Sequence, residues 1–223
     1  METTIRKINL RNLARAEFEV RIIKVETPDT FYVQLKNGAD DHEELNEYLQ
    51  RRMERIGQNK SLFMEQIFVG MEIVTKERGK WYRGIIEEIK EERKIIINLK
   101  DIGRRMETEK YNCYELEERF KETPWQANKC SLALIEPRTS RGWTDKDIKT
   151  FKYLIEGYKG WIKIKECINE HHAVVELTKA ATGLEEAKDV VQEMIKRECG
   201  RRAYHTFKPY QFGMLIPEDG RKN

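Results

Sequence analysis

The sequence of 223 residues predicts an α+β fold, mostly β, in which a small barrel is inserted between two flanking hairpin-and-helix portions. Three observations carry that expectation. Short runs of alternating apolar and polar residues recur along the chain, and only three stretches show helical spacing. Neither flank is large enough to bury a core alone, so the two are expected to pair in space. A hydrophobic fraction of 39% with four Trp, nine Tyr and eight Phe is that of a globular chain.

The elements follow in order. Glu17 to Lys36 reads as a β-hairpin: Phe18, Val20 and Ile22 alternate with Glu19 and Arg21, and Pro28-Asp29 supplies turn chemistry before Phe31 to Leu35. From Asp40 to about Lys60 the pattern is helical. Leu45, Tyr48, Leu49, Met53 and Ile56 recur at helical steps, with Asp40 and Asp41 as caps and Gly57 near the end. Phe68 to Leu116 returns to short strands, among them Trp81 to Ile89 and Ile95 to Leu99, and predicts a small bent barrel.

A second helix starts at Thr144, where Asp147 completes a capping box, with Ile148, Phe151, Ile155 and Tyr158 on one face. Trp161 to Ile168 and Ala173 to Leu177 form another hairpin, and Leu184 to Glu198 a third helix stopped by Gly200. The tail from Tyr204 to Asn223 has no period. The implied organisation is an N-terminal extension (1–14), the first half of the outer fold with its linker helix (15–66), the barrel (67–121), the second half (122–205) and the tail (206–223).

Charge is abundant but balanced, 42 Lys+Arg against 39 Asp+Glu, and the signs interleave as in Glu87 to Lys94. A dedicated nucleic-acid binder concentrates its cations instead. The stripe Arg51, Arg52, Arg55 and Lys60 fits either an RNA contact or the polar side of a helix. No apolar run approaches the roughly 18–20 residues of a membrane span, so a soluble, intracellular protein is expected. Cys113, Cys130, Cys167 and Cys199 form no C-x-x-C pair and read as reduced, mostly buried thiols. His171-His172 lies at a hairpin turn without ligand spacing, so no metal or cofactor is expected. Nuclease chemistry needs clustered carboxylates around a divalent metal, and the first hairpin offers only Glu17, Glu19, Glu26 and Asp29. The four Trp, at 81, 125, 143 and 161, are expected in the core.

Several stretches then match one family in order and spacing over residues 15 to 205. The hairpin from Val25 to Gln34, Val69-Gly70-Met71 with Lys80-Trp81-Tyr82-Arg83-Gly84, and Thr123-Pro124-Trp125-Gln126-Ala127 before Cys130, Leu132 and Ile135 resemble the extended Tudor domain. The resemblance implies a Tudor barrel inserted into an oligonucleotide-binding-type, staphylococcal-nuclease-like fold, with a long connecting helix. It also implies a non-enzymatic scaffold of the PIWI-piRNA pathway in cytoplasmic, perinuclear germ granules. Such scaffolds bind arginine-rich N-terminal tails of PIWI-class Argonautes.

Family members that read symmetric dimethylarginine box the cation with four aromatic rings and an Asn. Carried over residue by residue, the second ring is Tyr82 and the first falls near Lys76. The remaining positions fall on Leu99, Ile102 and Arg104, while the turn residues Asp101 and Gly103 are retained. Losing three rings removes about 2–5 kcal/mol of cation–π attraction, and Lys76 and Arg104 add repulsion. Peptide binding through Tyr82, Leu99, Asp101, Ile102, Arg104 and Lys76 without a methylation requirement is therefore expected. Asp101, Glu72, Glu77 and Glu107 are candidate carboxylates for an unmodified arginine. Three alternatives stay open: Leu99 and Ile102 merely fill the cage, Arg104 pairs internally, or the unit is a structural or weakly RNA-binding domain with a dead pocket.

Overall fold

The chain begins its regular structure as expected, with β1 (Glu17–Thr27) turning through Pro28 and Asp29 into β2 (Thr30–Leu35). The computed structural model describes residues 4–204 apart from 14–15, 37–38, 57–59, 91–92 and 184. Helix α1 (Ala39–Ile56) follows, burying Leu45, Leu49 and Met53. Gly57 and the tail beyond Tyr204 lie outside the described residues, as do the side chains of Asp40 and Asp41.

The inserted unit comprises β3 (Glu72–Glu77), β4 (Lys80–Ile89), β5 (Lys94–Leu99), β6 (Arg104–Glu109) and β7 (Cys113–Glu115). They form one antiparallel sheet in the order β6-β5-β4-β3-β7 around Ile73, Ile86, Ile95, Ile97, Leu99 and Cys113. On the other face of the insert, Trp81 and Val74 meet Leu49 and Met53 of α1. Gln50 fastens the helix there: its amide accepts from Trp81 N at 2.8 Å and donates to Trp81 O at 2.7 Å.

The chain then returns as β8 (Asn128–Leu132), β9 (Ile135–Glu136), α2 (Asp145–Ile155), β10 (Lys159–Asn169), β11 (His172–Lys179), β12 (Lys188–Asp189), α3 (Val190–Lys196) and β13 (Arg201–Arg202). Strands from both flanks make one sheet, β10-β1-β2-β8-β11-β12, and the β10–β11 pairing closes it. All its pairings are antiparallel except β8–β11. Phe31 of β2 packs edge-on to Phe151 of α2 at 5.6 Å, both fully buried. This is the two-flank pairing that the core-size argument requires.

Three expectations are corrected. The third helix begins at Val190 and not near Leu184, which is itself outside the described residues, because Lys188 and Asp189 pair with β11 and Asp189 then caps the helix. Tyr48 is 43% exposed on α1, against Phe120 and not within the core. Trp161 is 36% exposed, since β10 alternates and Gly160, Ile162 and Ile164 take the inner face. Beyond these, the N-terminal extension packs on the body of the fold: Ile5 and Leu10 are buried, and Lys7 bridges to Trp125.

Candidate functional site

The β3–β4 connection decides which side chains share a face. Arg78 (φ 47°) and Gly79 (φ 81°) form a two-residue turn with both φ positive, the geometry that matches strand twist. It sets Glu77 opposite Lys80, Lys76 opposite Trp81 and Thr75 opposite Tyr82. Side chains alternate along a strand, so Glu77 and Thr75 share the face of Tyr82. Lys76 is on the opposite face, its ammonium 4.9 Å from the Trp81 ring centroid. It does not join the other expected residues.

On the Tyr82 face, Tyr82, Ile102 and Met106 are half-buried and pack on the barrel core. Leu99 is 0% exposed within that core and offers no surface to a ligand. Arg104 opens β6 opposite Leu99 and forms an ion pair with Glu77, its side chain 37% exposed. The barrel end expected to hold a peptide's cation thus already holds a cation of the chain itself.

Asp101 is committed elsewhere. Its oxygens accept from Arg83 Nε at 2.8 Å and Nη2 at 2.7 Å, a bidentate pair with both partners almost fully buried. Arg83 also donates to the carbonyls of Phe120 and Thr123, at 2.5 and 2.8 Å, and stacks on Trp125 at 4.9 Å. The Asp101 carbonyl accepts from Gln34 of β2 at 2.9 Å. This residue joins barrel to outer sheet and has no free oxygen to aim at a peptide. The other candidate carboxylates divide clearly. Glu72 accepts from Ile5 N at 2.8 Å, Glu107 pairs with Lys90 and Lys94 outside the barrel, and Glu77 stands at the site.

Gly103 (φ 63°) brings the barrel turn onto the outer sheet. A Cβ there would lie 2.8 Å from the Tyr32 ring, so only glycine fits both the backbone and the contact. Lys24 of β1 donates to Gly103 O at 2.7 Å. The α1 stripe is largely neutralised: Arg51 pairs with Glu47, Arg52 with Glu117 and Lys60 with Glu115.

Comparison with known proteins places this geometry. The sequence model of the Tudor domain matches residues 13–134. The chain is 28% identical over 104 residues to human Tudor domain-containing protein 1, covering 47% of this chain. It is 22% identical over 208 residues to mouse RING finger protein 17, covering 93% of this chain. It spans only 9% and 12% of the length of those curated relatives. In solved structures, the third extended Tudor domain of mouse TDRD1, in complex with a MILI peptide containing dimethylarginine, superposes with a TM-score of 0.76. The identity there is 20%, covering 91% of this chain and all of that one. An Asp-to-Ala mutant of the extended Tudor domain of Drosophila melanogaster Papi, in complex with an unmethylated Piwi N-terminal peptide, superposes with a TM-score of 0.73 at 18% identity. That match covers 84% of this chain and all of the Papi chain.

Proposed function

The chain belongs to the Tudor domain family, and from that premise we propose that it is a non-enzymatic peptide-binding scaffold module of the PIWI-piRNA pathway, acting in cytoplasmic germ granules. It takes an arginine of a PIWI-class N-terminal tail at the Tyr82 face of the barrel and does not require methylation. One observation carries the reading: Glu77 already pairs with a guanidinium, that of Arg104, at the barrel end where a ligand's cation is expected. An incoming arginine replaces Arg104 on the same carboxylate, with its stem on Ile102 and its plane beside Tyr82.

The chemistry favours the unmodified side chain. An unmethylated guanidinium presents five donors to a carboxylate, and methylation removes some of them. The compensating gain is cation–π attraction, about 0.5–2 kcal/mol for each good ring contact, and three of the four expected ring positions are Lys76, Leu99 and Ile102. The solved relatives are compatible with either state, since the same Asp-to-Ala mutant of Papi is known with both an unmethylated and a dimethylated Piwi peptide.

Calorimetric titration with one arginine-rich peptide, unmodified and symmetrically dimethylated, tests this. The unmodified form is expected to bind at least as well. Arg104→Ala should tighten binding by releasing Glu77, and Glu77→Gln should abolish it. A methylated peptide winning by more than about tenfold (about 1.4 kcal/mol) would sink the reading. So would absence of binding in both the native protein and Arg104→Ala, which would mark the pocket as dead.

A further inference from the structure

The cleft between the barrel and the outer sheet has an electrostatic character that the arginine site does not explain. A cavity of about 260 Å³ there is bordered by Lys24 from β1, Lys100 and Arg105 from the barrel, Lys129 from β8 and Lys7 from the N-terminal segment. It continues through Lys7, Lys129 and His171 into a second, more open groove that reaches Arg11. Four separate parts of the chain therefore aim cations at one channel.

Their carboxylate partners are too few. Lys100 and Arg105 share Glu87, at 3.8 and 2.6 Å, and Lys24 holds Glu26 at 2.5 Å. Lys7, Arg11 and Lys129 form no ion pair with any of the described residues. The crowding registers on Lys100: burial first, then the charges of Lys7 and Arg105, hold its ammonium below the ordinary lysine value against the opposing pull of Glu87.

We propose that this cleft docks an extended, acidic peptide segment, rich in Asp and Glu, with Lys7, Lys129 and Lys100 as its charge partners. Positive clusters recognise acidic motifs through such convergent cations. A nucleic acid would use the same charges but also needs aromatic faces for its bases. Those faces are taken: Trp125 is 4% exposed and covered by Arg83, and Lys24 lies over the Tyr32 ring at 5.3 Å. Glu26 and Glu170, which line the channel, would oppose a continuous run of phosphates, whereas a peptide can place neutral residues beside them and beside Asn98 and Asn128.

The test is fluorescence anisotropy of the intact chain with labelled octaglutamate, octa-arginine and an oligouridylate of equal charge. The octaglutamate lacks arginine, so its result is independent of the Glu77 site. It is expected to bind saturably at low salt and to weaken toward about 0.15 M, where the screening length falls to about 8 Å. The double variant Lys7→Glu/Lys129→Glu should weaken it at least about tenfold while its thermal melting stays close to native, because both side chains are unpaired. Arg51→Glu/Arg55→Glu, on the α1 groove, should leave it unchanged. The proposal is overturned if octaglutamate does not saturate, if octa-arginine binds the Glu77→Gln variant as tightly as octaglutamate does, or if the α1 variant is the one that loses binding. Tighter binding of oligouridylate than of octaglutamate would overturn it in favour of a nucleic-acid surface.

Discussion

At the scale of single residues, Arg83 is the most consequential side chain in the molecule. It is fully buried, and among the described residues its charge is balanced by Asp101 alone. Breaking such a pair strands a charge away from water, so Asp101→Ala is expected to cost about 3–5 kcal/mol, measured as a lower urea midpoint. A loss below about 1 kcal/mol would contradict the burial argument. Two half-buried groups give the molecule a pH signature. Burial, helped by the Lys129 charge, holds His172 down at about 4 instead of 6.5, beside the Ser131 hydroxyl at 2.7 Å. Between those values only the unfolded chain binds that proton, so His172 lowers stability as pH falls from about 6.5 to about 4. Burial raises Asp29 from 3.8 to about 6, so there the folded state holds the extra proton and stability falls as pH rises through that interval. The two slopes oppose each other. Subtracting the urea stability of His172→Gln from that of the native protein should give a difference that shrinks on acidification. The same subtraction with Asp29→Asn should give one that shrinks as pH rises. Parallel slopes in the two subtractions would refute the assignment.

Elements differ in how much of themselves they carry locally. Helix α2 is self-declared: Thr144 Oγ1 accepts from Asp147 N, and the Asp147 carboxylate accepts from Thr144 N at 2.8 Å. Thr144→Ala should therefore cost about 1 kcal/mol, seen in thermal unfolding, with Thr144→Ser restoring most of it. That box was legible in the sequence because both partners lie within three residues. The start of α3 was not. The apolar spacing from Leu184 to Ile195 reads as helix, but Lys188 and Asp189 find hydrogen-bonding partners on the edge of β11. Tertiary pairing overrides the local pattern there. The barrel site was half legible for a related reason. Tyr82 could be placed by its neighbours, whereas Lys76 was put on the wrong face by a single residue of register. Reading Arg78-Gly79 as a two-residue turn would have put Glu77 there instead. The role of Asp101 was hidden, because its partner is 18 residues away on another strand.

At the scale of the whole molecule, the insertion makes two sheets depend on one another. Strands β2 and β8 are neighbours in the outer sheet although the entire barrel separates them in sequence; Val33 pairs with Asn128. Closing that separation costs chain entropy which a folded barrel, holding its own ends together, largely removes. The contacts across the junction are also buried and polar: Gln34 to Asp101 O, Ala127 N to Lys100 O at 3.1 Å, and the fit of Gly103 against Tyr32. Polar contacts without water nearby lose most of their value if either side opens, since each stranded group costs about 1–3 kcal/mol. Barrel and outer sheet should accordingly unfold in one transition. Trp81 reports on the barrel–helix core and Trp143 on the outer core. Urea curves from Trp→Phe variants that keep one or the other as the dominant reporter should superimpose. In Asp101→Ala, which cuts the joint without touching either core, they should separate, with the two midpoints no longer coincident. Separate midpoints in the otherwise native protein would show instead that the barrel is an independently stable insert, and that the buried Arg83 network serves it alone.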